Sequence, residues 1–416
     1  MIPSPRLLSA LILASTTLIS IAADWQPLVQ NGSKDGWIQR GGKATYEIKG
    51  GTVIGRTAPN TPNSFLCTER HYANFILELD YKVDPKMNSG VQIRSHSLKE
   101  YRNGQVHGYQ VEIDPSDRAW SGGIYDEGRR GWLNNLKENK PAQQAFKQNE
   151  WNHYRIEANG PRIRTWINGV PAADLDDAVT PSGFIALQVH GIGKRTDEME
   201  IQWKNIKIKD LGEAKPIRLL EGSSLDRWSH KEDKAVTAGW SVKGNELART
   251  ESTGDIYTKY EFEDFEFKWE WKVAEASNSG VKYRMNTYGK SILGLEYQIL
   301  DDDAHPDAKK REGRRKSASL YDLFPCNSKK ALKPVGEWNQ SRILAKGHKV
   351  QHWLNGALVV EYNNASDEFI KAVAGSKYAK YEKFGQNLRG KIMLQDHHDP
   401  VWYRNLTILP LSPADR

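Results

Sequence analysis

Residues able to move a proton stand in two matching sets. The strings Gly183-Phe-Ile-Ala-Leu-Gln-Val-His190 and Gly390-Lys-Ile-Met-Leu-Gln-Asp-His397 each end in a histidine two residues after a glutamine. On an extended strand that spacing puts Gln188 with His190, and Gln395 with His397, on one face. Imidazole near its ordinary pKa serves as general base or acid, although a single histidine is more often a hydrogen-bonded structural residue. Gly108-Tyr-Gln-Val-Glu-Ile-Asp aligns Gln110, Glu112 and Asp114, and Gly294-Leu-Glu-Tyr-Gln-Ile-Leu-Asp aligns Glu296 and Gln298, about 7 Å between successive members. The motif Asn-Ser-Gly-Val-x-x-Arg, at residues 88–94 and 278–284, adds cations. Plain alternation sends Gln92 and Arg94, or Lys282 and Arg284, to one face and the apolar residues to the other. Cations on nearby strands in both copies raise the functional reading of these polar strips. The plain alternative is the solvated side of an antiparallel sheet.

The elements that position these residues come in duplicate. From residue 88 to residue 278 the shift is 190, and it stays close to that between Glu150-Trp-Asn and Glu337-Trp-Asn. Phe75-Ile-Leu-Glu-Leu-Asp-Tyr and Phe265-Glu-Phe-Lys-Trp-Glu-Trp alternate as half-buried strands do. Trp166-Ile-Asn-Gly and Trp353-Leu-Asn-Gly predict hairpins with tight Asn-Gly turns. Residues 211–216 break the pattern, so the expected units are 24–211 and 217–411. Only residues 367–384 have helical spacing, through Phe369, Ile370, Val373, Tyr378 and Tyr381. The fold class expected is all-β, an antiparallel sandwich in each repeat.

Composition narrows the function. The 416 residues carry a net charge of +7, but the charges are interspersed and form no basic tail, which argues against nucleic acid. Fourteen Trp and seventeen Tyr suit both sheet cores and sugar-stacking surfaces. Residues 1–23 have Arg6, an apolar run and Ser20-Ile-Ala, the pattern of a secretory signal peptide; export is expected, and no other stretch is apolar enough for a membrane span. Cys67 and Cys326 occupy non-equivalent places, and nothing in their spacing requires a disulfide. Asp301-Asp-Asp-Ala-His305 offers fewer fixed oxygen ligands than hard-cation loops use. No metal ligand is assigned, the question of a divalent cation stays open, and so does oligomeric state.

The second repeat resembles the 3-keto-disaccharide hydrolase domain family through Asn278-Ser-Gly-Val-Lys-Tyr-Arg, Glu296-Tyr-Gln-Ile-Leu-Asp, His305-Pro-Asp, Gly336-Glu-Trp-Asn, His352-Trp-Leu-Asn-Gly, Leu394-Gln-Asp-His and Tyr403-Arg-Asn. The first is similar but divergent, with Gln110 and Glu112 where the second has Glu296 and Gln298, and Val189 where it has Asp396. The resemblance implies two tandem concanavalin-like jelly rolls, each with a sheet face that receives a carbohydrate. It implies a 3-keto-glycoside substrate, whose ketone acidifies the C2 proton so that a base removes it, the aglycone leaves C1 and water adds. His397 or Glu296 is then the base and Arg284 or Lys282 the anion stabiliser. Gln298, Asp301, Gln395 and Asp396 would hold hydroxyls, with Arg94, Gln110, Glu112 and His190 lining the first repeat's face. A non-catalytic carbohydrate-binding protein and a conventional two-carboxylate glycosidase are the competing readings.

Overall fold

The computed structural model describes residues 24–30 and 32–413; the leader-like residues 1–23 lie outside the described residues. Each repeat is a β-sandwich of two antiparallel sheets. In the first, Val170–Asp176, Arg162–Ile167, Asn152–Asn159, Asn74–Val83, Glu200–Gly212, Thr52–Arg56 and Thr45–Lys49 lie side by side, with Trp25–Pro27 added to Glu200–Gly212. Its second sheet runs Gly131–Asn134, Ile124–Glu127, His107–Ile113, Ser89–His96, Phe184–Val189, Ser64–Thr68 and Trp37–Gly41. The second repeat repeats this plan, with an 8-stranded sheet centred on Phe265–Val273 and Val401–Pro410. Its 5-stranded sheet is ordered Trp228–Ser229, Ile256–Thr258, Met393–Leu394, Asn278–Tyr288 and Ser291–Leu300. Both repeats are concanavalin-like jelly rolls in tandem.

Strand alternation builds the cores. Phe265–Val273 sends Phe265, Phe267, Trp269, Trp271 and Val273 inward, and each such side chain contributes about 1.5–3 kcal/mol by leaving water. The inward residues Val281, Tyr283, Leu295, Tyr297 and Leu394 of the smaller sheet pack against them, so Gly280, Lys282, Glu296 and Gln298 are left on its other face. Both Asn-Gly turns form, with Asn168 and Gly169 at φ 50° and 82°, and Asn355 and Gly356 at 47° and 85°. Positive φ at both central residues matches the twist of a two-residue hairpin.

Two local expectations are corrected. The helix predicted over residues 367–384 spans only Asp367–Ala374. Ser366 caps it by accepting from the Phe369 N–H, and Gly375 ends it with its N–H on the Lys371 carbonyl. Beyond the glycine the chain continues as turns, and the spacing of Tyr378 and Tyr381 reflects loop packing, with Tyr378 stacked on Phe384 at 4.0 Å. A short helix, Lys140–Ala145, also forms where none is expected, capped by Asn139 and opened by Pro141. Both cysteines are free.

Candidate active site

The site assembles over a missing side chain. Gly280 lies between the strands that carry Glu296 and Gln395, in register with Gln298, while Lys282 is in register with Glu296. A Cβ at Gly280 would stand 2.7 Å from Glu296 Oε1 and 3.3 Å from Gln395 Oε1, so the glycine lets both oxygens converge above the strand. Lys282 Nζ lies 3.8 Å from Glu296 Oε2. On the next strand, Tyr257 shares this face with Lys282 through Met393. Immediately before it, Asp255 accepts the Asp396 N–H at 2.9 Å. Burial raises the Asp255 pKa. Burial, then the charge of Asp255, pushes the Tyr257 phenol up to about 12, leaving it a hydrogen-bond donor at neutral pH.

Loops close the other side. Lys377 Nζ sits 4.2 Å from the centre of the Tyr321 ring. Desolvation lowers the ammonium's pKa while the charge of Glu296 opposes that shift, although the side chain as a whole stays exposed. Tyr321 donates to Asp307 Oδ2 at 2.8 Å, Arg315 bridges Asp307 and Asp322 at 2.8 and 2.7 Å, and Lys377 N–H caps Asp322. This ion-pair chain fixes the wall.

Glu296, Lys282, Gln298 and Gln395 are brought together on this face. His397 stands exposed at the rim, its Nδ1 4.0 Å from Asp399 and its ring 6.4 Å from His305. Gln298 turns its Oε1 onto the Ile299 N–H, and Asp301 accepts from Ala276, Asp303 and Ala304. Burial alone would raise the Asp301 pKa; those three N–H donors hold it down.

Three expected ligand contacts are overturned. Arg94 and Arg284 do not share a face with Gln92 and Lys282. Each sits at a β-bulge with positive φ, 46° and 51°, which turns the guanidinium inward, where it is 1% and 0% exposed. Arg94 donates to the carbonyls of Ala73 and Gly160 at 2.7 and 2.8 Å and to Asn74. Arg284 donates to the carbonyls of Gly347 and Glu263 at 2.7 and 3.3 Å, with Asp264 at 4.0 Å. Asp396 is likewise consumed, taking Arg249 Nε at 2.8 Å and the N–H groups of Thr253, Gly254 and His398. Asp255, Tyr257 and Lys377 were not anticipated. The repeat shift would have found the first two, since it sets Asp255 and Tyr257 against Phe65 and Cys67.

A family described as the 3-keto-alpha-glucoside-1,2-lyase-like domain matches residues 24–209 and again residues 215–409. The chain belongs to that family, twice over. It is similar to a 3-keto-disaccharide hydrolase of Bacteroides thetaiotaomicron, 31% identical over 228 residues, covering 47% of this chain and 78% of the relative. It is also similar to a solved “putative glycosyl hydrolase” of Parabacteroides distasonis, at 28% identity and TM-score 0.44, covering 47% of this chain and 94% of the other. A carbohydrate binding module from Bacillus subtilis matches at 18% identity and TM-score 0.33, covering 42% and 96%.

The two lyase-like repeats differ at the site. Where the second has Asp255, Tyr257, Lys282 and Glu296, the first has Phe65, Cys67, Gln92 and Gln110. Phe65 and Cys67 join Val106, Phe184 and Ala186 in an apolar cluster on that face. Gln92 donates to Gln110 at 2.6 Å, and Gln110 and Asn88 donate to Glu112 at 2.8 and 2.7 Å. Burial pushes the Glu112 carboxyl up to about 7. His190 Nδ1 bonds the Gly191 carbonyl at 2.8 Å. The first face therefore runs as an amide chain to Glu112, which Arg118 approaches to 3.6 Å from the following loop, and glutamine stands where the second repeat has Lys282. Among the described residues no three His, Cys, Asp or Glu side chains are grouped to hold a metal ion, and no helix is long and apolar enough to cross a membrane.

Proposed function

We propose that the second repeat cleaves 3-keto-glycosides by elimination. Glu296 takes the C2 proton, the electron pair passes into the C3 ketone as an enolate, and the Lys282 ammonium holds that negative charge. The enolate then collapses, a C1=C2 bond forms, the C1–O bond breaks and the aglycone departs with a proton; water adds across the double bond to complete net hydrolysis. Arg284 is withdrawn from the stabiliser's role because its guanidinium faces the core, and Glu296 is preferred to His397 because it stands beside Lys282 over Gly280. Gln395 and Tyr257 orient hydroxyls. The observation that carries this reading is the Glu296–Lys282 pair in the second repeat, replaced by two glutamines in the first. The relative's description as a 3-keto-disaccharide hydrolase supports the substrate class. The leader-like residues 1–23 support action outside the cytoplasm.

Aglycone release from a glucoside and from its 3-keto derivative tests this reading. Release from the ketone alone is expected, falling about 10²- to 10⁴-fold in Glu296→Gln. Comparable release from the unoxidised glucoside would favour a conventional glycosidase, and none from either would favour a binding protein.

A further inference from the structure

The groove of the second repeat does not stop at its catalytic face. Tyr257 and Lys391 line a cavity of about 250 Å³ together with Glu261, Met285 and Asn286. Those last three residues also line a second cleft, of about 380 Å³, whose opposite wall is Leu98, Tyr101, His107 and Arg129 of the first repeat. The two repeats meet directly, since Ala178 packs with Ile217 and Leu219 in the second repeat's core, and the charge of Glu263 acts on His107. From Lys282 to Asn286 the strand covers about 13 Å, further than one sugar ring extends.

The lining points to a particular occupant. Tyr101 and His107 lie ring against ring at 4.0 Å, and Leu98 and Met285 add apolar surface. Asn286, Asn387, Arg389 and Glu261 supply hydrogen-bonding groups. Arg389 and Glu261 pair at 2.9 Å and Arg129 is paired with Asp126, so both arginines of the cleft are balanced, and Glu263 adds a carboxylate to its lining. His107 Nδ1 is held on the Gln105 carbonyl, which makes Nε2 the ring's acceptor. Ring faces edged by amides and by arginines already paired with carboxylates match neutral pyranose rings; an acidic sugar would need an unbalanced cation, and an oily aglycone a drier wall.

We propose that this cleft between the repeats binds further neutral sugar units of the substrate, so that the first repeat, whose own face has glutamines in place of the Glu296–Lys282 pair, supplies one wall of the second repeat's binding site. The proposal rests on the reading of the second repeat as acting on glycosides, and its test is kept separate from turnover. Full-length Glu296→Gln protein is titrated calorimetrically with unoxidised cello- and malto-oligosaccharides, from the disaccharide to the pentasaccharide. Affinity is expected to rise about tenfold from the disaccharide to the tetrasaccharide of one series. Tyr101→Ala and Asn286→Ala, one from each wall, should each collapse that ratio towards one. Tyr101→Phe, which keeps the ring but loses the hydroxyl's bond to the Gly128 carbonyl, should preserve it. No rise with length in the Glu296→Gln protein, including no binding, overturns the proposal. So does a rise that survives in both alanine variants. Length-dependent binding without turnover of a 3-keto-glycoside would reject the elimination chemistry and leave the cleft standing.

Discussion

Replacing Arg284 with methionine separates an architectural arginine from a catalytic one. The guanidinium is fully buried and donates to two backbone carbonyls, Gly347 at 2.7 Å and Glu263 at 3.3 Å. Hydrogen bonds to a charged group contribute about 1.5–3 kcal/mol each; the longer one belongs at the low end, and methionine recovers part of the packing of the arginine stem. Arg284 Nε and Nη1 are buried without a hydrogen-bond partner among the described residues, so methionine also relieves part of the guanidinium's desolvation, and a net loss of about 1–3 kcal/mol follows for the second repeat. Arg94→Met should cost the first repeat a similar amount, since Arg94 makes three such bonds. Urea unfolding followed by tryptophan fluorescence, with the wild-type chain as reference, should show each substitution moving a different transition. Turnover per folded molecule should stay within about twofold of wild type for both, because neither side chain reaches the groove. An Arg284→Met protein that unfolds like wild type but has lost turnover by tenfold or more would refute the reasoning and return Arg284 to the reacting centre.

Removing the cation at Lys282 should lower kcat about 10²- to 10³-fold, the typical loss for one anion-stabilising donor; Lys282→Met measured beside wild type checks this, and unchanged turnover would exclude Lys282 as the stabiliser. Gly280→Ala should also cost at least tenfold in kcat/KM, because its Cβ would lie 2.7 Å from Glu296 Oε1 and push the carboxylate aside; equal activity would mean the convergence over Gly280 is irrelevant. In the first repeat, the Glu112 carboxyl is lifted from an ordinary 4.5 to about 7 by burial. The folded state therefore holds this proton more tightly than the unfolded chain does. Its stabilising contribution is complete below about pH 4.5 and disappears as pH rises through about 7, amounting to up to about 3 kcal/mol. Denaturant unfolding of the first repeat at the two ends of that window should show the fall, and Glu112→Gln should flatten it; an equal slope in the variant would assign the proton elsewhere.

Period-two spacing located the strands, and with them Glu296, Lys282 and Gln298, because alternation holds wherever a strand is regular. It misplaced Arg94 and Arg284 because a bulge residue at positive φ takes its own side chain to the same face as the residue before it, and alternation carries no mark of that change. The mark lies on the neighbouring strands. Gly183 and Gly390 stand against the two bulges, where a Cβ would meet the Arg94 carbonyl carbon at 2.5 Å and the Met285 carbonyl oxygen at 2.4 Å. An arginine with a glycine 89 residues later in the first repeat and 106 later in the second is thus the signature of a locked bulge. Lys377 escaped for a different reason: it reaches the groove from a turn after Gly375 that has no counterpart in the first repeat, so neither periodicity nor repetition could place it. What the two repeats share, the Arg–Gly locks and the Asn-Gly hairpins, holds the sandwiches together. Asp255, Lys282 and Glu296 are where they differ, and the differences lie on one sheet face in register, as they must if one repeat keeps a charged reaction centre and the other carries amides and apolar side chains at those positions.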